Sequence, residues 1–313
     1  MPEFKVLIAD SLEDNGQEIL RQAAEVADRS GISPAELLDI IPDYDALIVR
    51  GRTKVTREVF AAAEKLKVVG RAGVGVDNID LAAANKHHVT VVNAPLATTQ
   101  AVAEHTLALI FSLARPIPRA DAGMKSGQWL KKELKGSELN GKTLGVIGVG
   151  NIGAEVARLA SALGMHVVGY DPMLDEQQLQ ARGAEPLALN ELYQRADFIT
   201  LHVPLGPETR GMINGQALGK MKRGVYLICA ARGGVIDETA LLGALESGQV
   251  AGAALDVFAT EPPGLTALVS HPNVVATPHI GAQTAEAQTR AAADIATEVL
   301  AALQGEPLRW KIV

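Results

Sequence analysis

The chain has 313 residues and a formal net charge of −7 at pH 7, with 29 Lys and Arg against 36 Asp and Glu. Because these charges are dispersed along the chain, neither nucleic acid nor an anionic membrane is expected as the main partner. Cys229 is the only cysteine, so no intrachain disulfide is possible, and the longest apolar stretch is too short to span a bilayer. The N-terminus does not have the pattern of a signal peptide, so we expect a cytoplasmic protein with room for two domains.

Strands and helices alternate in the first hundred residues. Apolar runs predict strands at 4–9, 46–49, 67–69 and 90–92. Helical spacing and N-cap residues predict helices at 17–24, 34–41 and 56–65. This alternation is typical of a parallel sheet with helices on both faces, whose ligands gather at the carboxyl ends of the strands. The residues that follow such strand ends include Arg50, Arg52, Arg71 and Gly73.

A long apolar helix is predicted at 98–115, ended by Pro116 and Pro118. Its apolar residues cover most of its circumference, which is typical of a helix buried between domains or subunits. The next residues, 119–132, are expected to form a partly exposed helix or loop.

The most informative stretch lies in the middle of the chain. An apolar strand at 144–147 leads into Gly148-Val149-Gly150-Asn151-Ile152-Gly153, and helical spacing begins inside this motif. Gly148 permits a tight turn, Gly150 a close approach to a pyrophosphate, and Gly153 close packing of helix on strand. A second strand ends at Asp171, whose carboxylate suits ribose hydroxyls and repels a 2′-phosphate, with no cation next to it in the sequence. The stretch therefore predicts a site for NAD rather than NADP; the alternative is a tight turn that binds nothing.

Five further strands follow the glycine motif, at 166–170, 198–203, 225–229, 253–257 and 274–276. Helices are predicted between them at 190–196, 216–221 and 238–247. Six parallel strands with a glycine-rich first turn indicate a complete doubly wound dinucleotide-binding fold. A last Ala-rich helix is predicted at 284–303, and the sequence does not indicate where it packs.

Three consecutive strand ends carry residues that suit proton and hydride transfer. His279 belongs to the residue type that titrates near neutral pH and can take a hydroxyl proton. Glu261 is a candidate to hold that ring and favour its protonated form, and Arg232 offers a planar fork for a substrate carboxylate. Taken singly, His279 could be a core or capping residue, Glu261 a solvated turn residue, and Arg232 a ligand of a cofactor phosphate or a helix end. Their joint position favours catalysis.

The remaining histidines and the cysteine are weaker candidates. His202 and Val203 end the third strand of the second sheet and are expected to line the cofactor cleft. His105, on the apolar helix, is expected to be structural, and Cys229 a small apolar residue of the core. No spacing of Cys, His and carboxylates indicates a metal site.

At these residues the chain resembles the D-isomer-specific 2-hydroxyacid dehydrogenases over nearly its whole length. The resemblance is carried by the motifs at 148–153 with Asp171, 231–237, 256–258 with 261–263, and 278–281. It implies that Arg232, Glu261 and His279 are catalytic and that Asp256 binds the nicotinamide carboxamide. The expected cofactor contacts are Val74, Gly148, Gly150, Asn151, Ile152, Gly153, Asp171, Pro172, His202, Val203, Ala230, Asp256, His279, Gly281 and Ala282.

The resemblance implies an α/β fold with two doubly wound parallel-sheet domains. Residues 1–97 and 284–313 are expected to form a flavodoxin-like substrate-binding domain, into which a Rossmann NAD-binding domain at 98–283 is inserted. A homodimer or homotetramer through the NAD-binding domain is implied as well. Longer members carry a C-terminal regulatory domain, and feedback through such a domain is not expected for a chain that ends at Val313.

Within the family, the stretches 47–50, 68–80 and 252–258 are most similar to members that oxidise 3-phospho-D-glycerate with NAD, the first step of L-serine biosynthesis. The residues expected to bind that substrate are Arg50, Arg52, Arg71, Gly73, Arg232 and His279. For the three arginines of the first segment, the alternative is a solvated basic loop.

Two other functions remain open. One is a glyoxylate or hydroxypyruvate reductase, which needs no phosphate site, and the other is an NAD(H)-sensing, corepressor-like binding protein. Two residues also depart from the family pattern, because Cys229 stands where many relatives have Asn, and Val74 where many have Thr.

Overall fold

A computed structural model describes residues 3–313 of the chain. The chain divides into two compact units: unit 1 consists of Met1–Thr98 and Ala282–Val313, and unit 2 of Thr99–Gly281. Each unit contains one parallel sheet. Apolar residues cover both faces of each sheet in two separate core layers, as parallel sheets require.

Unit 1 begins with alternating strands and helices. Its strands are β1 (Phe4–Ile8), β2 (Ala24–Asp28), β3 (Ala46–Val49), β4 (Val68–Arg71) and β5 (Thr90–Asn93). Its first helices are α1 (Asp14–Arg21), α2 (Pro34–Ile40), α3 (Arg57–Ala62) and α4 (Leu81–Lys86), with a 3-10 turn at Ile41–Asp43. The sheet order is β2-β1-β3-β4-β5, which is the flavodoxin-like order. The predicted doubly wound sheet is confirmed.

Local signals succeed in unit 1 where they are strong. The Ser33 hydroxyl accepts the N–H of Glu36 at 3.3 Å, and the Glu36 carboxylate accepts the N–H of Ser33 at 3.0 Å, so α2 has its predicted capping box. The helix predicted at 17–24 is wrong at its end, because α1 ends at Arg21 and a strand begins at Ala24. That strand, β2, is a partly exposed edge strand without a continuous apolar run. The sequence also misses α4, which is only six residues long.

Unit 2 begins with two helices, α5 (Thr99–Ala114) and α6 (Ile117–Lys125). Its strands are β6 (Thr143–Ile147), β7 (His166–Tyr170), β8 (Glu185–Pro186), β9 (Phe198–Leu201), β10 (Val225–Cys229), β11 (Val250–Leu255) and β12 (Val274–Ala276). The further helices are α7 (Asn151–Ala162), α8 (Glu176–Ala181), α9 (Leu189–Arg195), α10 (Gly215–Lys220) and α11 (Glu238–Glu246). The sheet order β12-β11-β10-β9-β6-β7-β8 contains the six-stranded Rossmann order, and its switch point lies between β6 and β9.

Four features of unit 2 differ from the sequence prediction. The first is α8, a helix that the sequence prediction lacks, although Asp175 and Gln178 form a capping box at its start. Pro118 does not end a helix: it lies in the first turn of α6, where the missing N–H costs no helical bond. The sheet has a seventh strand, β8, of only two residues, too short to leave a pattern. β9 ends at Leu201 and β11 begins at Val250, so both differ from the predicted bounds.

The chain returns to unit 1 with α12 (Ala285–Gln304). The Thr284 hydroxyl accepts the N–H of Ala287 at 3.2 Å, and Gly305 ends the helix at a φ of +71°. α12 packs against α1, β4 and β5, which answers the packing question that the sequence leaves open.

A C-terminal segment, 310–313, then pairs with the outer edge of β5. The Val91 N–H donates to the Val313 carbonyl at 3.2 Å, and the Ile312 N–H donates to the Val91 carbonyl at 2.8 Å. The buried Glu298 carboxylate accepts Arg309 Nε at 2.9 Å and the Trp310 N–H at 3.1 Å, which fixes the start of this segment to α12.

No helix within residues 3–313 is long and apolar enough to cross a membrane. In the same part of the chain, no group of His, Cys, Asp and Glu side chains is arranged to hold a metal ion.

Candidate active site

The glycine motif joins β6 to α7, which begins at Asn151, inside the motif, as predicted. Gly148 has a φ of +86°, and a Cβ there would lie 2.6 Å from the His202 carbonyl oxygen, so the turn requires glycine. A Cβ at Gly153 would collide with the Gly148 carbonyl oxygen. A Cβ at Gly150 would meet nothing within 4 Å, which leaves this side of the motif open to a ligand. Together with the free N–H groups of α7, this space fits a dinucleotide pyrophosphate.

Asp171 follows β7, and its carboxylate is anchored to the glycine motif. Oδ2 accepts the N–H of Val149 at 3.0 Å, and Oδ1 accepts the N–H of Met173 at 2.9 Å. An ionised carboxylate has about four acceptor positions, so both oxygens can still accept ribose hydroxyls. Arg182 Nη1 donates to the Val149 carbonyl at 3.1 Å. Val149 thus bonds the Asp171 carboxylate through its N–H and the Arg182 guanidinium through its carbonyl. The sequence does not indicate this contact, because Arg182 is 33 residues from Val149.

His202 lies directly after β9 and against the glycine motif. Its Nε2 is 3.0 Å from Thr200 Oγ1, whereas its buried Nδ1 has no hydrogen-bond partner within the described residues. Burial lowers the pKa of His202 to about 4, so the ring is neutral at neutral pH. An unsatisfied buried nitrogen beside an open glycine motif is consistent with a polar ligand at this site.

His279 and Glu261 form a close pair. His279 Nδ1 is 2.7 Å from Glu261 Oε2, and Glu261 Oε1 accepts the N–H of Phe258 at 3.0 Å. Because an ionised carboxylate only accepts, we infer that Nδ1 carries the proton and that Nε2 is the basic atom of the neutral ring. Within residues 3–313, Nε2 makes no hydrogen bond. The two side chains are 51% and 37% exposed, so the pair contributes at most about 1 kcal/mol to stability and is accessible to a ligand.

The backbone at His279 is left-handed, with a φ of +54°, which costs a non-glycine residue about 1–2 kcal/mol. Three consecutive N–H groups there bond to Asp256: His279 donates to its carbonyl at 2.8 Å, Ile280 to Oδ1 at 2.9 Å, and Gly281 to Oδ2 at 2.8 Å. Asp256 is 1% exposed. The carboxylate expected to bind the nicotinamide carboxamide therefore faces donors of its own chain.

The charge state of Asp256 follows from these bonds. Burial acts to raise the pKa of the Asp256 carboxyl, but hydrogen bonds from His105, Thr277, Ile280 and Gly281 outweigh it and hold the pKa below its ordinary value. Asp256 is therefore ionised at neutral pH and can accept all of these donors.

Arg232 lies in the loop after β10, and its Nη1 donates to the Ala231 carbonyl at 2.7 Å. A Cβ at Gly233 would collide with the Phe258 carbonyl, so glycine lets the Arg232 loop touch the loop that carries Glu261. Cys229 is 2% exposed, and burial raises the pKa of its thiol to about 11, as suits a small apolar residue of the core.

In unit 1, Arg50 and Arg52 differ sharply in their contacts. Arg52 Nε donates to Asp10 Oδ1 at 3.2 Å and its Nη2 to the Ala9 carbonyl at 3.0 Å, so this guanidinium, expected to bind substrate, is held by its own unit. The half-buried Arg50 guanidinium makes no hydrogen bond or ion pair within residues 3–313. Burial lowers the pKa of Arg50, against the attraction of Glu13 and Asp10. A half-buried, unpaired guanidinium suits an anionic ligand.

Arg71 ends β4, and its guanidinium lies against Gly73. A Cβ at Gly73, whose φ is +143°, would collide with Arg71 Nη1, so Gly73 makes room for this side chain. Nearby, Asn93 Nδ2 donates to the Val74 carbonyl at 2.7 Å, and Asn78 Nδ2 to the Arg50 carbonyl at 2.9 Å.

Most of the site residues that the sequence predicts in unit 2 lie at or just after carboxyl ends of its strands, and Asn151, Ile152 and Gly153 lie in the first turn of α7, which follows β6. Ala230 follows β10, Pro172 follows β7, and Val203 follows β9. The expected cofactor residue Ala282 falls in unit 1, where its carbonyl accepts Gln288 Nε2 at 2.7 Å. Sequence reasoning misses the contact of Gly233 and the link of Arg182 to Val149. Of these two contacts, only that of Gly233 could have been suspected from the sequence, because a glycine directly after a candidate catalytic residue can mark a close approach of the backbone.

The chain belongs to the D-isomer-specific 2-hydroxyacid dehydrogenase family. Residues 107–281 match the model of its NAD binding domain, described as "D-isomer specific 2-hydroxyacid dehydrogenase, NAD binding domain". This match covers more than half of the chain, and the cofactor is NAD, as predicted.

Curated relatives named D-3-phosphoglycerate dehydrogenase are similar to almost all of this chain. The Synechocystis protein is 47% identical over 305 residues, covering 97% of this chain and 55% of the relative. The Methanocaldococcus jannaschii protein is 49% identical over 303 residues, covering 96% and 58%. The chain thus spans a little over half the length of these relatives.

Solved structures match over the whole chain. The TT0316 protein from Thermus thermophilus is 36% identical with a TM-score of 0.89, covering 99% of this chain and 100% of that one. A glyoxylate reductase from Paecilomyes thermophila is 30% identical with a TM-score of 0.90, covering 100% and 99%. The two-domain fold of the family is confirmed.

Proposed function

We propose that the chain catalyses the NAD-dependent oxidation of 3-phospho-D-glycerate to 3-phosphohydroxypyruvate, the first step of L-serine biosynthesis. The choice of 3-phospho-D-glycerate as substrate is supported by the name that the curated relatives share, at 47–49% identity over nearly the whole of this chain. The reaction class is supported by the accessible His279–Glu261 pair beside a glycine motif of the NAD-binding type.

In this proposal, His279 is the base and Glu261 its partner. NAD, when bound, supplies the acceptor for the hydride that leaves C2 of the substrate. His279 Nε2 takes the proton of the 2-hydroxyl, because Nδ1 already donates to Glu261 at 2.7 Å. The Glu261 carboxylate holds the ring in this tautomer and stabilises the imidazolium that forms.

Cations hold the substrate. We assign the 2-hydroxy acid's carboxylate and the developing carbonyl oxygen to Arg232, whose planar fork can bond two oxygens at once. The phosphate is assigned to Arg50 and Arg71 of unit 1, with Arg50 favoured by its half-buried, unpaired guanidinium. Arg52 has less support, since Asp10 and Ala9 already engage it.

Domain roles follow from the same assignments. Residues 1–97 and 284–313 would form the substrate-binding domain and 98–283 the NAD-binding domain. We also propose a homodimer or homotetramer through the NAD-binding domain, supported by three apolar side chains of one stretch, Ile117, Met124 and Trp129, that are 55%, 58% and 77% exposed. Light scattering on the purified protein tests this. A cytoplasmic location is proposed from the single cysteine.

The two alternative functions have less support. The glyoxylate reductase structure is 30% identical to this chain, against 47–49% for the curated relatives that share the phosphoglycerate name. A binding protein without catalysis needs no accessible base, whereas His279 Nε2 is unbonded and its ring 51% exposed.

A substrate panel tests the proposal. The purified chain is assayed for NADH formation with 3-phospho-D-glycerate, D-glycerate and D-lactate, and for NADH loss with 3-phosphohydroxypyruvate, hydroxypyruvate and glyoxylate. We expect the phosphorylated compound to have the highest kcat/KM in each direction. A higher value with glyoxylate or hydroxypyruvate would assign the chain to the reductases, and no turnover with any compound would favour the binding protein.

A further inference from the structure

His105 lies on α5, far in sequence from the turn that carries His279, but its ring reaches that turn. Its Nε2 is 3.3 Å from Asp256 Oδ1 and 3.3 Å from Thr277 Oγ1. The side chain is 17% exposed, so it is largely desolvated. A Cβ at Gly281 would lie 3.6 Å from the ring and 3.1 Å from Asp256 Oδ2, so a side chain here would crowd this contact.

The direction of the bond follows from proton counting. The Thr277 hydroxyl is 2.6 Å from Asp256 Oδ1, and this bond uses its only proton because a carboxylate cannot donate. Nε2 faces two oxygens that have no proton left to give it. His105 Nε2 is therefore the donor, and the ring restrains the Asp256 carboxylate at Oδ1, the oxygen that also accepts the Ile280 N–H.

We propose that His105 is a positioning residue for His279. By fixing the Asp256 carboxylate, it maintains the bonds from Ile280 and Gly281 that hold the left-handed turn at His279. α5 is a suitable anchor because it is 16 residues long and packs against α7 and the strands β10 and β11. The inference rests on the proposed function, since it is as a base that His279 needs a fixed orientation.

The left-handed turn at His279 depends on its hydrogen bonds to Asp256. The left-handed backbone costs about 1–2 kcal/mol, and the exposed pair with Glu261 does not reliably offset that. Such conformations persist where surrounding bonds determine them. Loosening the Asp256 carboxylate therefore releases the turn, and a misplacement of about 1 Å is enough to lower turnover by roughly 100-fold.

Three substitutions of His105 separate positioning from simple packing. In His105→Gln the side-chain amide nitrogen lies as far along the side chain as Nε2 and keeps a donor for Asp256. In His105→Asn the amide is one methylene shorter and matches Nδ1, so it does not reach. His105→Ala removes the group, and His166→Ala, an exposed histidine of the same unit, is the control.

Hydrogen exchange followed by mass spectrometry reads the turn directly, without cofactor or substrate. Pro278 has no amide, so the peptide spanning 277–282 reports chiefly on the N–H groups bonded to Asp256. We expect roughly 10-fold faster exchange there in His105→Ala and His105→Asn. His105→Gln should recover most of the protection, and peptides of the glycine motif should be unaffected in all variants.

Turnover is measured on the same samples. We expect kcat to fall about 10- to 100-fold in His105→Ala and His105→Asn with KM for the 2-hydroxy acid changed less than about 2-fold, and kcat to recover in His105→Gln. Unchanged exchange at 277–282 in His105→Ala would overturn the inference, as would faster exchange throughout the unit or equal effects of Gln and Asn. The exchange rates decide the inference, whereas absence of turnover in the unsubstituted chain would refute only the proposed function.

Discussion

Substitution of Arg50 by Ala tests whether this residue binds the substrate phosphate, because a phosphorylated and an unphosphorylated substrate can be compared on the same variant. The Arg50 guanidinium is half-buried and makes no hydrogen bond or ion pair within the described chain, and burial lowers its pKa against the attraction of Glu13 and Asp10, so a phosphate there would gain donors that no residue of unit 1 uses. A charge-assisted hydrogen bond in such a place is worth about 1.5–3 kcal/mol. We therefore expect Arg50→Ala to lower kcat/KM for 3-phosphohydroxypyruvate by about 10- to 150-fold. Hydroxypyruvate, which lacks the phosphate, should lose less than about 3-fold.

Arg52→Ala is the matched control. Asp10 keeps bonds from the Arg50 N–H at 2.7 Å and the Thr53 hydroxyl at 2.7 Å when Arg52 is removed. We expect a small loss of thermal stability and nearly equal changes in kcat/KM for both substrates. NADH consumption at saturating cofactor measures both. Equal losses on the two substrates in Arg50→Ala, or a phosphate-selective loss in Arg52→Ala alone, would refute the assignment of the phosphate to Arg50.

Three further outcomes are expected. The carboxylate of Asp171 should give NAD at least about a 100-fold higher kcat/KM than NADP, about 2.7 kcal/mol; equal efficiency with both cofactors contradicts this. His279→Ala should lower kcat at least about 100-fold with NADH binding by fluorescence retained, and Glu261→Gln should lower kcat with little change in NADH binding, because the ring loses the carboxylate that holds its orientation; an unchanged kcat would leave Glu261 as a turn residue. Burial acts to raise the pKa of Asp10, but bonds from Thr53, Arg50 and Arg52 hold it below its ordinary value of 3.8. Its contribution to stability is therefore complete above that value and is lost as pH falls through the lower folded pKa, so Asp10→Asn should lower Tm at pH 7 and flatten the acid decline of Tm.

Sequence reasoning succeeded mainly where the determinants are local, although it missed α8 and the capping box of Asp175 and Gln178 at its start. The box of Ser33 and Glu36 and the spacing of Gly148, Gly150 and Gly153 specify a helix start and a turn within a few residues. The elements that it missed, such as β2 and β8, are short and partly exposed, and they are defined mainly by pairing with a neighbouring strand. Strand ends carried the candidate site residues because the carboxyl edge of a parallel sheet is fixed by chain direction alone.

Contacts between distant residues explain what the sequence could not indicate about the site. Arg50 and Arg52 were both predicted to bind substrate because both are arginines near the end of one strand. Only the Arg52 guanidinium bonds within its unit, to Asp10, which is 42 residues away in the sequence. Likewise, the sequence shows that Asp256 is a charged residue at a strand end. Its three bonds to the His279 turn form only when β11 and β12 lie side by side, which the sequence does not indicate.

The C-terminal segment on β5 also bears on solubility. β5 is an outer strand of its sheet, and an uncovered outer strand presents a row of unpaired amides to other molecules. Residues 310–313 occupy this row, and Glu298 holds their start in place through Arg309 and Trp310. Detachment of the segment would offer β5 as a template for intermolecular strand pairing, so a defect at Glu298 should first become visible as aggregation while the folded fraction keeps its activity per molecule.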